Sequence, residues 1–265
     1  MSVMDERHVQ RLDSDISERT RRAFPYQGDG NELSVTRRDS ASKGQSITIG
    51  AHTLDLPQQP TAPPGPAFEQ SKRISDAIVA SLLILLLLPL LGIVALGVFL
   101  EDGGSIFYYQ MRVGRHGRPF RFYKFRSMVR NADAIKAQLA AQNEASGPIF
   151  KMRKDPRITR IGRVLRRYSV DELPQLVNVV RGEMSLIGPR PHLPSEVLLY
   201  TTHQKERLDV QPGLLCFREV FGRSEIDFDQ WIELDLLYIR HRSFRTDMRI
   251  ICRTIPAILS AEGAY

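Results

Sequence analysis

The sequence predicts a helix-rich α+β protein that is monotopic. A re-entrant helix–break–helix enters the membrane, and a compact domain with amphipathic interface helices stays on one side of it. Three observations predict this. An uncharged run from Ala77 to Leu100 covers 24 residues and is interrupted by Pro89. Cationic residues flank it on both sides, Lys72 and Arg73 before it, Arg112, Arg115 and Arg118 after it. Beyond it, short strand and helix patterns mix, and the chain ends in an amphipathic helix.

Residues 1–70 are polar and poor in aromatics, and five of the ten positions from Pro57 to Pro66 are proline. That composition predicts a disordered tail running into a stiff, extended linker. Residues 71–101 are the membrane segment. At 1.5 Å per residue, its apolar run would reach about 36 Å as one helix, enough for a single crossing. Pro89, followed by Gly92 and Gly97, predicts a break instead, because proline removes a backbone hydrogen bond and kinks a helix. Each arm, about 18 Å long, is then too short to cross. The flanking cations place both ends on the cytoplasmic side. Re-entry satisfies both signals, and a plain single span, which length alone favours, stays open beside it.

Residues 102–265 form the compact domain. Ile106–Gln110 and Phe120–Phe125 read as strands around a turn holding Gly114 and Gly117. Asn131–Asn143 has a helical pattern. Lys151–Arg167 carries eight basic residues and one acid, Asp155. Within it Ile161, Leu165 and Tyr168 form an apolar stripe, and Arg160, Arg163 and Arg167 another face. Leu173–Val180 reads as a helix stopped by Gly182, and Met184–Ile187 as a strand broken by Gly188-Pro-Arg-Pro191. In the last helix Met248, Ile251, Ile255, Ile258 and Leu259 share one face, and Arg242, Arg245, Arg249 and Arg253 another. That pattern suits a helix in the membrane interface, and equally a core helix with a basic outer side.

Composition narrows the function classes. Two distant cysteines, Cys216 and Cys252, exclude a disulfide scaffold and a cysteine-ligated zinc site. The six histidines never stand at metal-ligand spacing. The first 70 residues carry 8 basic and 10 acidic side chains, and the remainder carries 29 and 20. A basic body on an apolar segment points to an anionic membrane surface or a phosphorylated substrate. Aromatics rarely interleave the basic run at 151–167, so nucleic acid is not an expected partner.

Three clusters could carry chemistry. In Arg166-Arg167-Tyr-Ser169-Val-Asp171-Glu172-Leu-Pro174, Ser169 and Glu172 match a capping box, with Asp171 in a helix's first turn. The same placement suits catalysis. A helix N-terminus lowers an aspartate pKa and attracts phosphate. An ionised Asp beside Arg166 and Arg167 could attack phosphorus, with a hard divalent cation held by Asp171 and Glu172 offsetting the charge repulsion. Gly188-Pro189-Arg190-Pro191 fixes a guanidinium for bidentate phosphate contact, or is a rigid turn. Lys124 and Arg126 alternate onto one strand face, either as a phosphate contact or as a plain solvated face.

Together the residues make an ordered series. Gln110-x-Arg112-Val-Gly114-Arg115-x-Gly117 precedes Lys124-Phe-Arg126-Ser-Met128. Asp155-Pro-Arg157-Ile-Thr159-Arg160-Ile-Gly162-Arg163 follows. Last come Asp171-Glu172-Leu-Pro174-Gln175, Asn178 and Arg181-Gly182-Glu-Met184-Ser185-Leu-Ile-Gly188-Pro189-Arg190-Pro191. This series, with Lys72-Arg73, Asp76 and the proline-broken apolar segment, resembles the bacterial sugar transferases. These are the monotopic phosphoglycosyl transferases that initiate exopolysaccharide, capsule or O-antigen assembly. The resemblance runs from Lys72 to Tyr265.

It implies transfer of a sugar-1-phosphate from a UDP-hexose to undecaprenyl phosphate, releasing UMP, by a ping-pong, Mg²⁺-dependent route. Asp171 would be the nucleophile and Glu172 would help hold Mg²⁺. Lys124, Arg166 and Arg190, together with Arg126 and Arg157, would contact phosphates or nucleotide. The partners are the UDP-hexose, undecaprenyl phosphate and lipids of the bacterial inner membrane, with a homodimer left open. Because nucleotide sugars are cytosolic, the carboxylates must face the cytoplasm, which a single crossing after Lys72-Arg73 would prevent. No transmembrane bundle precedes Lys72, as in the small form of the family.

Two departures stand out. The family break often reads Ser-Pro, whereas here it is Leu88-Pro89. Pro212-Gly213-Leu214-Leu215-Cys216-Phe217 differs from the common Pro-Gly-Ile-Thr-Gly-Trp, so the motifs name no particular hexose. The competing function is a non-catalytic membrane adaptor that binds anionic lipid or partner proteins through its basic face.

Overall fold

The computed structural model describes residues 34–37, 44–49, 52–57, 64–139, 142–144, 152, 154–221 and 226–260. Three strands come first, β1 (Ser34–Arg37), β2 (Gly44–Ile49) and β3 (His52–Pro57). A long helix follows, α1 (Pro66–Asp102), then a hairpin of β4 (Phe107–Val113) and β5 (Pro119–Phe125). Next are α2 (Ala132–Gln138), α3 (Arg160–Arg167), α4 (Gln175–Arg181) and β6 (Ser185–Ile187). The chain continues through α5 (Pro194–Val197), α6 (Thr202–Lys205), β7 (Gly213–Leu215) and α7 (Phe217–Val220). It closes with α8 (Phe228–Arg240) and α9 (Phe244–Ser260). The strands form three small sheets: an antiparallel β1-β2-β3 meander, the antiparallel β4-β5 pair, and a parallel β6-β7 pair. The chain is thus helix-rich with mixed strands, as its α+β patterning predicts.

The meander corrects the reading of residues 1–70 as a disordered tail. Ile47, Ile49, Leu54 and Leu56 alternate with polar residues, so a pleated strand sends all four to one face. They are buried together with Phe217, Phe221, Trp231, Leu234, Tyr238 and Ile250. Burial of each such side chain contributes about 1.5–3 kcal/mol before ordering costs. The apolar content of this stretch is low, but a core elsewhere in the chain receives it. The rest of the tail, 1–33, 38–43, 50–51 and 58–63, lies outside the described residues.

Helix α1 begins with Pro66 in its first turn, where no hydrogen bond is lost, and ends at Gly103, whose left-handed φ of 66° suits glycine. It runs through Pro89 without ending and restarting, so the helix–break–helix expected there is corrected to one continuous helix. A proline deletes one hydrogen bond, and the leucines around it keep the remaining ladder. The helix is long and apolar enough to cross a membrane, with a mean hydropathy of 3.0 over its most apolar window. Leu85, Leu86, Ile93 and Leu100 project outward, while Lys72, Asp76, Ala80, Val94 and Val98 form a buried stripe.

Both arms of α1 dock on the same body. Before the apolar apex, Lys72 Nζ pairs with Asp247 at 2.6 Å and Arg73 donates to the carbonyl of Val179 at 3.1 Å. Ser185 Oγ donates to Asp76 at 2.6 Å, and Ala80 packs with Phe120, Phe122, Leu176 and Val179. After the apex, Val94 and Val98 pack on Phe125 and Leu165. The backbone N–H of Ile161 donates to Glu101 at 3.1 Å, and Arg126 pairs with Asp102.

In α9 the residues that dock inward are Thr246, Ile250 and Thr254, while Met248 and Ile255 of the predicted apolar face point outward. Ile251 of the same face packs against the main core, so the predicted apolar face is divided between core and surface. The expected basic face is divided. Arg242 is buried and paired with Glu69, and Arg249 donates to the Asp55 carbonyl at 3.0 Å.

Candidate active site

The site is built where three short elements meet. Ser169 adopts a left-handed φ of 56° and turns the chain into a single 3₁₀ turn, Val170–Glu172. No side-chain cap forms there, and α4 starts only at Gln175, after Pro174. The capping box is therefore corrected, and Asp171 stands in the first turn of this 3₁₀ segment rather than of α4. The left-handed Ser169 aims the two carboxylates inward ahead of the helix. Asp171 is only 4 % exposed.

Asn178 explains why β5 lies against this turn. Its amide accepts from the N–H of Tyr123 at 3.3 Å and donates to the Arg121 carbonyl at 2.6 Å and to Glu183 at 2.7 Å. A buried amide with those partners ties α4 to the strand. Lys124 then reaches Glu172 Oε1 at 2.7 Å and Asp171 Oδ2 at 3.9 Å. From the turn after β6, Arg190 forks onto both oxygens of Glu172, with Nη1–Oε2 at 3.1 Å. Lys124, Arg190 and Arg112 all sit over the ring of buried Phe122, at 5.4, 5.9 and 5.5 Å from its centroid. The ring face offers cation–π attraction where water is excluded.

The electrostatics separate the two acids. Burial pushes the Asp171 carboxyl above the usual aspartate range, only partly opposed by Lys124, while neighbouring Glu172 adds to the rise. This reverses the helix-terminus expectation of a lowered value. Burial alone would raise Glu172 as well, but Arg190 and Lys124 overcome it and hold that carboxyl well below its ordinary value. Lys124 is itself lowered by burial against the pull of Glu172 and Asp171. Adjacent acids driven apart in this way are a mark of functional sites.

The structure brings together Asp171, Glu172, Lys124 and Arg190. Arg166, at the end of α3, is half-buried and its charge lowers the Asp171 pKa. Arg126 and Arg157 are spent elsewhere. Arg126 pairs with Asp102, because β5 ends at Phe125 and strand alternation no longer sets its direction. Arg157 is locked to Asp155 two residues away, at 2.6–3.2 Å. The reading also missed buried residues around the Arg190 turn: Arg207, Asp235 and His192. The one signal was Asp235, an acid flanked by Leu234 and Leu236 in Ile232-Glu-Leu-Asp-Leu-Leu237.

As for a metal, no group of three or more His, Cys, Asp or Glu side chains gathers among the described residues. The protein's share would be the two hard carboxylates. A set of one or two carboxylates completed by substrate phosphates and water fits Mg²⁺. Asp171 has no ion pair closer than 3.9 Å among the described residues and keeps its lone pairs available.

Comparison with known proteins is consistent with this geometry. A family model described as bacterial sugar transferase matches residues 68–261, which include every residue of the site and exclude the β1-β2-β3 meander. The galactosyl transferase CpsE of Streptococcus agalactiae serotype III is 43 % identical over 195 residues, 73 % of this chain and 43 % of that protein. The exopolysaccharide production protein ExoY of Sinorhizobium fredii is 37 % identical over 225 residues, 83 % of this chain and 100 % of ExoY. The UDP-glucose:undecaprenyl-phosphate glucose-1-phosphate transferase of Caulobacter vibrioides is 37 % identical over 232 residues, 84 % of this chain and 83 % of that enzyme. The chain thus spans less than half of CpsE but the whole of ExoY.

Proposed function

The chain belongs to the bacterial sugar transferases, and from that premise we propose that it transfers a hexose-1-phosphate from a UDP-hexose to undecaprenyl phosphate in exopolysaccharide synthesis. The observation that carries the reading is the unequal treatment of adjacent acids. Glu172 takes both Lys124 and Arg190, and Asp171 is left buried without a hydrogen-bonded cation.

In the first half-reaction an Asp171 carboxylate oxygen attacks the phosphorus that bears the sugar. The bridging P–O bond of the pyrophosphate breaks, and UMP leaves with that electron pair. In the second, a phosphate oxygen of the polyprenyl acceptor attacks the same phosphorus. The acyl phosphate bond breaks, and the Asp171 carboxylate is restored. Arg190 and Lys124 stabilise the negative charge that moves through the site, since preorganised cations in a dry pocket act far more strongly than in water. Burial keeps water from competing with the lipid acceptor for the loaded aspartate. Mg²⁺, when held by Asp171 and Glu172, would supply further neutralisation of the pyrophosphate.

The attachment of both α1 arms to one body supports re-entry from the cytoplasmic face of the inner membrane. A straight crossing would put those arms, and the body they share, on opposite sides of the bilayer. The outward Met248 and Ile255 of α9 support a second contact with the interface. The acceptor's isoprenoid tail then stays in lipid while its phosphate reaches the site.

The test is UMP release by the purified protein in detergent from a panel of UDP-hexoses, with and without undecaprenyl phosphate. We expect release with one sugar, and loss of turnover with EDTA that Mg²⁺ restores. Wild-type complementation by Asp171→Ala, with lipid binding but no product, would replace the enzyme by an adaptor.

A further inference from the structure

The turn that carries Arg190 is held in an unusual way. Pro189 and Pro191 have no N–H, so the turn supplies few donors of its own, and its carbonyls must be satisfied from outside. Four consecutive carbonyls are. Pro189 accepts from the N–H of Gly213 at 2.8 Å, and His192 accepts from the N–H of Val113 at 3.0 Å. Between them, Arg190 accepts from Arg207 Nη2 at 2.9 Å and Pro191 from Arg112 Nη1 at 3.2 Å. Backbone thus closes the two ends of the turn, and two arginines close its middle.

Both arginines are themselves fixed. Arg207 is 3 % exposed, pairs with buried Asp235 from α8, and donates to Tyr200 Oη at 2.7 Å. Arg112 donates to Gln110 Oε1 at 2.9 Å and lies 3.8 Å from Glu196, which in turn accepts from the N–H of Leu193 at 2.8 Å. The planar guanidinium fork serves several acceptors in a set geometry, which an ammonium cannot do.

We infer that Arg207 and Arg112 are positioning residues: they clamp the carbonyls of Arg190 and Pro191 and so hold the Arg190 guanidinium where it meets the substrate's phosphate. Neither is paired with Asp171 or Glu172 among the described residues. The inference rests on the reading of Arg190 as a phosphate contact, so its test has one readout that needs activity and one that does not.

The test uses the full chain with Arg207→Lys, Arg190→Ala and the double variant. Arg207→Lys should lower kcat/KM for the UDP-hexose by about 10- to 100-fold, as displacement of a substrate-positioning group does, chiefly through a higher KM. In the Arg190→Ala background the same replacement should cost less than about threefold, because residues acting through one group are not additive. Hydrogen exchange at the amides of Val113 and Gly213, which donate into the turn, should quicken in Arg207→Lys and stay unchanged in Arg190→Ala. Losses that multiply in the double variant, or amide protection unmoved by Arg207→Lys, would overturn the clamp. A wild-type protein inert toward every UDP-hexose would refute the transferase reading and leave the exchange result to decide the clamp. Should Arg207→Lys not fold, Arg112→Lys carries the same two readouts through the Pro191 carbonyl.

Discussion

Two buried charge clusters in this molecule are treated in opposite ways. Where α1 meets α9, Lys72 pairs with Asp247 at 2.6 Å and lies 3.5 Å from Asp76. Tyr238 Oη donates to the other oxygen of Asp247 at 2.9 Å, and Ser185 covers Asp76. Every carboxylate there has a hydrogen-bonded partner. At the candidate active site two cations face two acids, yet both cations go to Glu172. Asp171 is as deeply buried as Asp76 and Asp247, and among the described residues its ion-pair partner comes no closer than 3.9 Å. A cluster that only holds a helix is satisfied throughout. The cluster for which we propose chemistry keeps one acid under-partnered, and on that reading the shortfall is the reactive feature.

The largest expected effect breaks the comparison at Asp171. Asp171→Asn should lower turnover by at least about a thousand-fold, the scale on which lost nucleophiles act. It should also raise the melting temperature at neutral pH. The sign follows from linkage. The folded-state pKa of Asp171 lies above the unfolded value, so the ionised acid opposes folding as pH rises between the two, and an amide removes that opposition. Lower activity with lower stability would place Asp171 with the structural acids.

Lys72→Met tests the other cluster. It leaves Asp76 and Asp247 buried without their cation, which should cost about 3–5 kcal/mol in denaturant unfolding. The chemistry of whatever folded protein remains should survive. The meander provides a third contrast, since it stabilises the body without reaching the site. Leu54→Ala should cost about 2–5 kcal/mol in the same assay, while KM for the UDP-hexose stays within about twofold. The smallest effect sharpens the contrast between the two site acids. The kcat/KM profile should lose activity as pH falls through an apparent pKa above the ordinary aspartate value near 3.9, because the attacking carboxylate must be ionised. Glu172, held well below its usual range by Arg190 and Lys124, should add no limb there.

What could be read in the residues was what is local. The β4-β5 hairpin, the Gly182 stop and the Pro-Arg-Pro turn each depend on neighbours in sequence and are present, and of the α3 stripe Ile161 and Leu165 pack inward while Tyr168 is exposed past the helix end. The Asp171-Glu172 pair was legible as chemistry, but its electrostatics were misread, because they depend on β5 and on the turn after β6 rather than on a helix end. Arg157, expected at a substrate phosphate, is paired with Asp155 two residues away. Arg207 and Asp235, 28 residues apart, carried no joint signal. The meander was hidden for a different reason. Ile47, Ile49, Leu54 and Leu56 alternate openly, but a stretch so short and so polar around them gains its burial from residues far along the chain, chiefly at 217–250.

The central claim is a covalent sugar phosphate on one side chain. The direct measurement is to mix the protein with a radiolabelled UDP-hexose and Mg²⁺ without lipid acceptor, quench, digest and map the label by mass spectrometry. The account predicts label on the peptide that contains Asp171, absent from Asp171→Asn and discharged when undecaprenyl phosphate is added. Product formed by a turning-over enzyme with no label on that peptide, or label on Glu172 instead, would contradict it.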